Sequence, residues 1–175
     1  TTGGTIAGTA NSATDLTGYS AGRLAATDLL GAVPQLTALA DIRAEQLFSL
    51  DSKDMGPAHW LILLRRVQAL VDDDDVDGIV ITHGTDTLEE TAWFLHCVLP
   101  PTKPIVLTCA MRPATALVPD GPQNLCDAVA LAATPKVQGV MVVAAGCIHS
   151  AVAVQKVHPY RLDAFDSGDC GPLGW

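Results

Sequence analysis

Chemistry in this chain has to come from hydroxyls, one amine and a few carboxylates. The first candidate stretch is Gly3-Gly4-Thr5-Ile6-Ala7-Gly8. Glycines let a backbone turn tightly and come close to a ligand, so Thr5 between them would face a pocket. An ordinary glycine turn is the plain alternative. The second stretch is His83-Gly84-Thr85-Asp86-Thr87, at the end of an apolar run. Small and polar residues there gather where a helix begins, and backbone donors at such a point favour an anion. Asp86 could hold an ammonium and Thr85 could pass a proton; simple capping by Thr and Asp is the competing reading. Lys156, in Val154-Gln155-Lys156-Val157, is an amine among apolar neighbours. Desolvation would make it a usable base, while a lysine reaching along the surface is the commoner case. Tyr19 lies in Thr17-Gly18-Tyr19-Ser20-Ala21-Gly22, which reads as a mobile loop carrying one phenol, or as a tethering aromatic. Together these groups suit acyl transfer by an activated hydroxyl.

Other chemistries lack their motifs. The glycines do not follow the dinucleotide spacing, and no Gly-Lys-Ser/Thr forms a phosphate loop. The histidines (His59, His83, His96, His149, His158) show no metal-ligand spacing, and no Gly-x-Ser-x-Gly elbow occurs. Neither a metal nor any cofactor is expected.

The elements that must carry these groups alternate. Gly78–Thr82, Pro104–Thr108 and Gly139–Val143 are continuous apolar runs, as in strands of a parallel sheet covered on both faces. Gln46–Leu50 is a weaker strand. A helix starting at Pro57 would turn Trp60, Leu61, Leu64, Val67, Gln68 and Val71 to one side. A second starts near Thr87 with a capping box, Thr87-Leu88-Glu89-Glu90, and stops before Pro100-Pro101. A third runs from Pro122 to about Ala133. The pattern predicts an α/β domain, three-layered, with a mixed, mainly parallel sheet and its site at the carboxyl ends of the strands. Asp72-Asp73-Asp74-Asp75 reads as a solvated turn.

Bulk composition agrees. A chain of 175 residues, 49% hydrophobic and 17% charged, suits one packed domain. The net charge of −9 argues against a nucleic-acid partner. No apolar run is long enough for a membrane span; the best, Trp60–Leu64, is broken by Arg65 and Arg66. Five cysteines without a CxxC pair point to buried thiols acting as small hydrophobes, not to a disulfide framework.

The ordered motifs resemble those of the bacterial L-asparaginases, in the asparaginase/glutaminase family. Thr2–Gly8 is similar to their first signature and His83–Ala92 to their second. Ala110-Met111-Arg112-Pro113, Asp120-Gly121-Pro122-Gln123-Asn124-Leu125 and Gly171-Pro172-Leu173-Gly174 follow in the family's order. The resemblance implies a left-handed crossover near the site, hydrolysis of L-asparagine to L-aspartate and ammonia, and glutamine as a secondary substrate. It implies Thr5 as nucleophile, Tyr19 as the residue that orients and helps activate it, and Thr85, Asp86 and Lys156 as the second catalytic set. Asp86, with Gly84 and Thr85 beside it, would bind the substrate ammonium, Ser52 its α-carboxylate, and the Ala110 carbonyl the leaving amide. Lys53 stands where family members carry glutamine and would also face the carboxylate.

The resemblance further implies residues 1–175 as the N-terminal catalytic domain of a longer parent, in which a C-terminal domain of a neighbouring subunit completes the site. The parent would be a homo-oligomer, a tetramer, in the periplasm or the cytoplasm. A subunit of a tRNA-dependent amidotransferase and a non-catalytic module of the same fold are the alternatives.

Overall fold

The computed structural model describes residues 1–175. Strands β1 (Ile79–Thr82), β2 (Pro104–Thr108) and β3 (Gly139–Ala144) lie side by side and parallel, and β4 (Cys147–Ser150) returns antiparallel along β3. The sheet is therefore mixed and mainly parallel, as expected. Strands β1 to β3 are almost wholly apolar because both of their faces are covered. Ile79, Ile81, Ile105, Leu107, Val140 and Val142 pack with Leu63 and Val67 of helix α2 (Pro57–Val71) and with Leu88, Ala92 and Leu95 of helix α3 (Leu88–Val98). On the other face, Val106, Met141 and Val143 meet Ala128 and Ala132 of helix α4 (Gly121–Ala132). Leu125 and Val129 of α4 continue onto Val33 and Leu36, just after the short helix α1 (Ala26–Gly31). A separate two-stranded ribbon pairs β5 (Gln155–Lys156) with β6 (Phe165–Asp166). No helix is long and apolar enough to cross a membrane.

Several local expectations change. Gln46–Leu50 forms no regular strand; it is joined to the N-terminal segment by a single parallel bridge, Gly3 to Leu50, and by scattered backbone hydrogen bonds. The buried face of α2 is Leu63, Val67 and Val71, with Trp60 and Leu64 packed beside it as expected, while Leu61 points to solvent. The capping box before α3 does not form. Thr87 precedes the helix, but its hydroxyl donates to the Ser52 carbonyl at 2.9 Å instead of capping. The ribbon β5–β6 and the return strand β4 carried no sequence signal. Of the cysteines only Cys109 is buried, while Cys97 and Cys170 are exposed; all five are free thiols.

What positions the site is a strap at the sheet edge. Thr2 donates its backbone N–H to the Thr82 carbonyl at 3.0 Å, and Gly4 donates to the Leu50 carbonyl at 2.8 Å. This threads Thr1–Gly4 between the carboxyl end of β1 and Leu47–Leu50. Gly3 and Gly4 take positive φ angles of 107° and 80°, which side chains resist. A Cβ on Gly4 would stand 2.3 Å from the Gly84 Cα.

Gly4→Ala is expected to cost more than about 2 kcal/mol of stability in urea unfolding, because it adds both strain and a backbone clash. Gly31→Ala, at a site with open space, should be neutral or stabilising by up to about 1 kcal/mol. Equal effects of the two would refute the close-contact argument.

Candidate active site

The two glycine-bearing motifs meet backbone to backbone. On its other side Gly84 abuts Ser52, whose Oγ would lie 2.5 Å from an added Cβ. Gly4, Gly84 and Ser52 thus stack as one layer, and the residues after the glycines, Thr5 and Thr85, are carried to the same region. Both threonines are buried.

Thr5 begins a single 3-10 turn, Thr5–Ala7, and its Oγ1 lies 2.6 Å from the Tyr19 hydroxyl. The loop that holds Tyr19 is closed at its base by paired backbone bonds between Thr9 and Ser20. It is also tied down by Ala10 N–H to Thr115 Oγ1 and by Ala114 N–H to the Gly8 carbonyl. Gly8 leaves room for the phenol, because a Cβ there would meet the Tyr19 ring at 2.9 Å.

The second cluster forms across 70 residues of sequence. The Lys156 ammonium donates to Thr85 Oγ1 at 2.8 Å and to Asp86 Oδ1 at 2.6 Å. The lysine side chain is 18% exposed and that of Asp86 51%, so the carboxylate faces open space while the ammonium is held beneath it. Ser52 is buried, and its Oγ accepts the Asp86 N–H at 3.1 Å. Ala110 is buried against the first residue of α4: a Cβ on Gly121 would sit 3.4 Å from Ala110 and 3.0 Å from Ile6. Lys53 stands apart. Its ammonium pairs with Asp51 at 2.5 Å and Asp54 at 3.5 Å on an exposed turn, which holds its pKa above the ordinary lysine value. A cavity of about 1230 Å³ lies elsewhere, between Asp41–Glu45 and the outer edge of β1, and none of these residues lines it.

The family model of the asparaginase N-terminal domain matches residues 1–175. The chain belongs to the asparaginase family. It is 43% identical to L-asparaginase 2 of Bacillus subtilis over 175 residues, covering 99% of this chain and 47% of that protein. It is 45% identical to the glutaminase-asparaginase of Pseudomonas fluorescens, covering 99% and 48%. Among solved structures, a probable cytoplasmic L-asparaginase from Campylobacter jejuni superposes with a TM-score of 0.97 at 48% identity, over 99% of this chain and 54% of that one. The chain spans about half the length of the curated relatives it matches.

Several structural residues of this asparaginase-family site had no role assigned from sequence. The Asp120 carboxylate accepts the N–H groups of Met111 and Arg112 at 2.8 and 2.9 Å, shaping the loop after Ala110. Asn124 donates to the Cys109 carbonyl at 3.0 Å and accepts the Ala145 N–H at 3.0 Å, joining the ends of β2 and β3. Both lie in a quoted motif, but their partners are backbone groups that no spacing rule marks. His83 is a third case. Its Nδ1 lies 2.7 Å from the Gly84 carbonyl, which can only accept, so Nδ1 carries the proton. Nε2 then lies 3.0 Å from Thr91 Oγ1, whose one proton also faces the Thr87 carbonyl at 2.8 Å, and Thr91 accepts from Trp60 Nε1 at 2.9 Å.

Burial pushes the His83 imidazole down to about 4, against a smaller upward pull from its Gly84 hydrogen bond. An unfolded chain protonates this ring near 6.5, so between pH 6.5 and 4 the unfolded state binds a proton that the folded state refuses. That contribution to stability is complete above pH 6.5 and falls away by about 3 kcal/mol as the pH drops towards 4. ¹⁵N NMR of the imidazole at pH 5.5 should find the ring neutral, with its proton on Nδ1; an imidazolium signal at that pH would contradict the assignment.

Proposed function

We propose that this chain is the nucleophile-bearing domain of an L-asparaginase, which hydrolyses L-asparagine to L-aspartate and ammonia and takes L-glutamine as a secondary substrate. The observation that carries the reading is the pairing of two activated hydroxyls, Thr5 with Tyr19 and Thr85 with Lys156 and Asp86, on either side of the Gly4–Gly84 contact. In support, relatives at 42–45% identity are named L-asparaginase or glutaminase-asparaginase.

In this proposal Thr5 Oγ1 attacks the side-chain amide carbon. Its proton leaves along the 2.6 Å contact with Tyr19, and a C–O bond forms as the carbonyl oxygen takes up charge. The backbone N–H groups of Thr5 and Thr85 donate to no group within the chain and are available to that oxyanion. Ammonia departs with one added proton, leaving an ester on Thr5. Water then attacks the ester beside Thr85. Because Lys156 donates to Thr85 Oγ1, the Thr85 hydroxyl proton is turned away from the lysine and towards the reacting groups. Collapse of the second tetrahedral species releases L-aspartate and restores the Thr5 hydroxyl.

Substrate selection follows from charge. The half-exposed Asp86 carboxylate is placed to take the α-ammonium, and Ser52, with Gly84 beside it, to take the α-carboxylate. The Ala110 carbonyl, which accepts no hydrogen bond in the chain, would receive the leaving amide. Lys53 would have to leave its Asp51 and Asp54 partners to reach the substrate. The reading includes a homotetramer in which a second domain, from a neighbouring subunit, completes the ammonium side of the site.

Ammonia release from L-asparagine by the natural full-length protein is the direct test. Thr5→Ala and Lys156→Met should each lower kcat/KM by at least about 100-fold while the fold is kept. A well-folded parent that releases no ammonia, or an unimpaired Thr5→Ala, removes the assignment. The 175-residue chain alone should be at least about tenfold less active than the parent, since part of the ammonium site comes from elsewhere; parity between the two would show that this half is self-sufficient.

A further inference from the structure

Lys156 does not stand at the end of a main-sheet strand. It sits in β5, a two-residue strand whose only regular partner is β6. A ribbon of that size is marginal by itself, so something else must hold the lysine in place. Val154, just before β5, and Ala164 and Phe165 on the facing strand anchor the ribbon in the core. The Lys156 backbone N–H turns away from β6 and donates to Oε2 of Glu89, in the first turn of α3. The other end of the same residue, its ammonium, reaches Thr85 and Asp86, immediately before α3. One stretch, Thr85–Glu89, therefore grips the lysine at both ends.

We propose that Glu89 is a positioning residue of this site: its carboxylate clamps the Lys156 backbone to the start of α3 and so sets the ammonium on Thr85. The inference rests on the reading of Lys156 as a working group. Glu89 touches neither Thr5 nor Thr85; it acts through the lysine. A carboxylate accepting a backbone N–H is a strong, directional link. It is suited to holding a short strand against a helix end, where the first-turn acid is also favoured by the helix dipole. Without it, Lys156 keeps the β6 pairing, the buried Val154 before it and its own ammonium contacts. The lysine can then shift by a fraction of an ångström, a scale on which catalytic alignment is lost.

The test uses the full-length protein, with steady-state ammonia release from L-asparagine and circular dichroism as a check of folding. Glu89→Ala should lower kcat by about 10- to 100-fold and leave KM within about threefold, the pattern of a misplaced group rather than a lost binding contact. Glu89→Gln keeps an acceptor oxygen at the same reach and should recover to within about threefold of the parent. In a Lys156→Met background, adding Glu89→Ala should cost less than about twofold, because its target is already gone.

A wild-type kcat for Glu89→Ala overturns the inference. So does a Glu89→Gln as impaired as the alanine variant, since charge rather than the hydrogen bond would then be the cause. A full additional loss in the Lys156→Met background also overturns it, by showing a general structural role. If Glu89→Ala does not fold, Glu89→Asp takes its place. It keeps the charge but withdraws the carboxylate by one methylene, and its kcat should fall at least about fivefold; an unchanged value refutes the clamp. Undiminished activity of Lys156→Met alone would remove the underlying reading of the site. Loss in Lys156→Met without loss in Glu89→Ala removes only this inference.

Discussion

The rest of the site depends on one close approach, the backbone of Gly4 against the backbone of Gly84. Two loops that lie 80 residues apart come so near that neither can carry a side chain: an added Cβ on Gly4 would fall 2.3 Å from Gly84, and one on Gly84 2.5 Å from Ser52. Positive φ at Gly4 lets the chain leave this contact and start the turn that presents Thr5. The same contact brings Thr85 in from the end of β1. A hydroxyl nucleophile is useful only when its partners are within a few tenths of an ångström of place, and glycine-on-glycine packing gives that precision through covalent geometry rather than through flexible side chains.

Around this contact the structure uses buried polar links in place of apolar packing. His83 ties Gly84 to Thr91 and, through it, to Trp60. Asn124 ties Cys109 to Ala145, and Asp120 holds Met111 and Arg112. Each satisfies backbone groups at the carboxyl ends of strands, where the ladder stops and buried N–H and C=O groups would otherwise be costly. These links are directional, so they set the orientation of individual peptide groups as well as the position of the loops. Charge in the site is arranged the other way, towards solvent. The ammonium of Lys156 is mostly covered, while the Asp86 carboxylate that neutralises it remains half open.

Much of this was legible in the residues. Long, uninterrupted apolar runs identified the three parallel strands, since only a strand buried on both faces can omit polar residues. Proline at a first helical turn marked α2 and α4. Two extended signatures in order pointed to the asparaginase family, and the polar residues collected where the strands end. Failures came where a local pattern competed with a distant partner. Thr87 had a good capping environment, but the Ser52 carbonyl won its hydroxyl. Leu61 suited the helical stripe, but the position of the sheet turned it outward. Lys53 is a different case: its ammonium pairs with the neighbouring Asp51 and Asp54 on an exposed turn.

Sequence alone determined the class of fold, the order of its main elements and the candidate side chains of the site, because hydrophobic periodicity, turn residues and contiguous motifs are local properties of a chain. Tertiary structure alone decided which of those side chains share a site. Lys156 reaches Thr85 across 71 positions through a two-residue strand with no signal of its own, and Tyr19 reaches Thr5 through a loop closed by backbone bonds that any residues can form. Hydrogen bonds to backbone groups carry no side-chain code at the acceptor, so contacts such as Asn124 to the Cys109 carbonyl leave no trace in the order of amino acids.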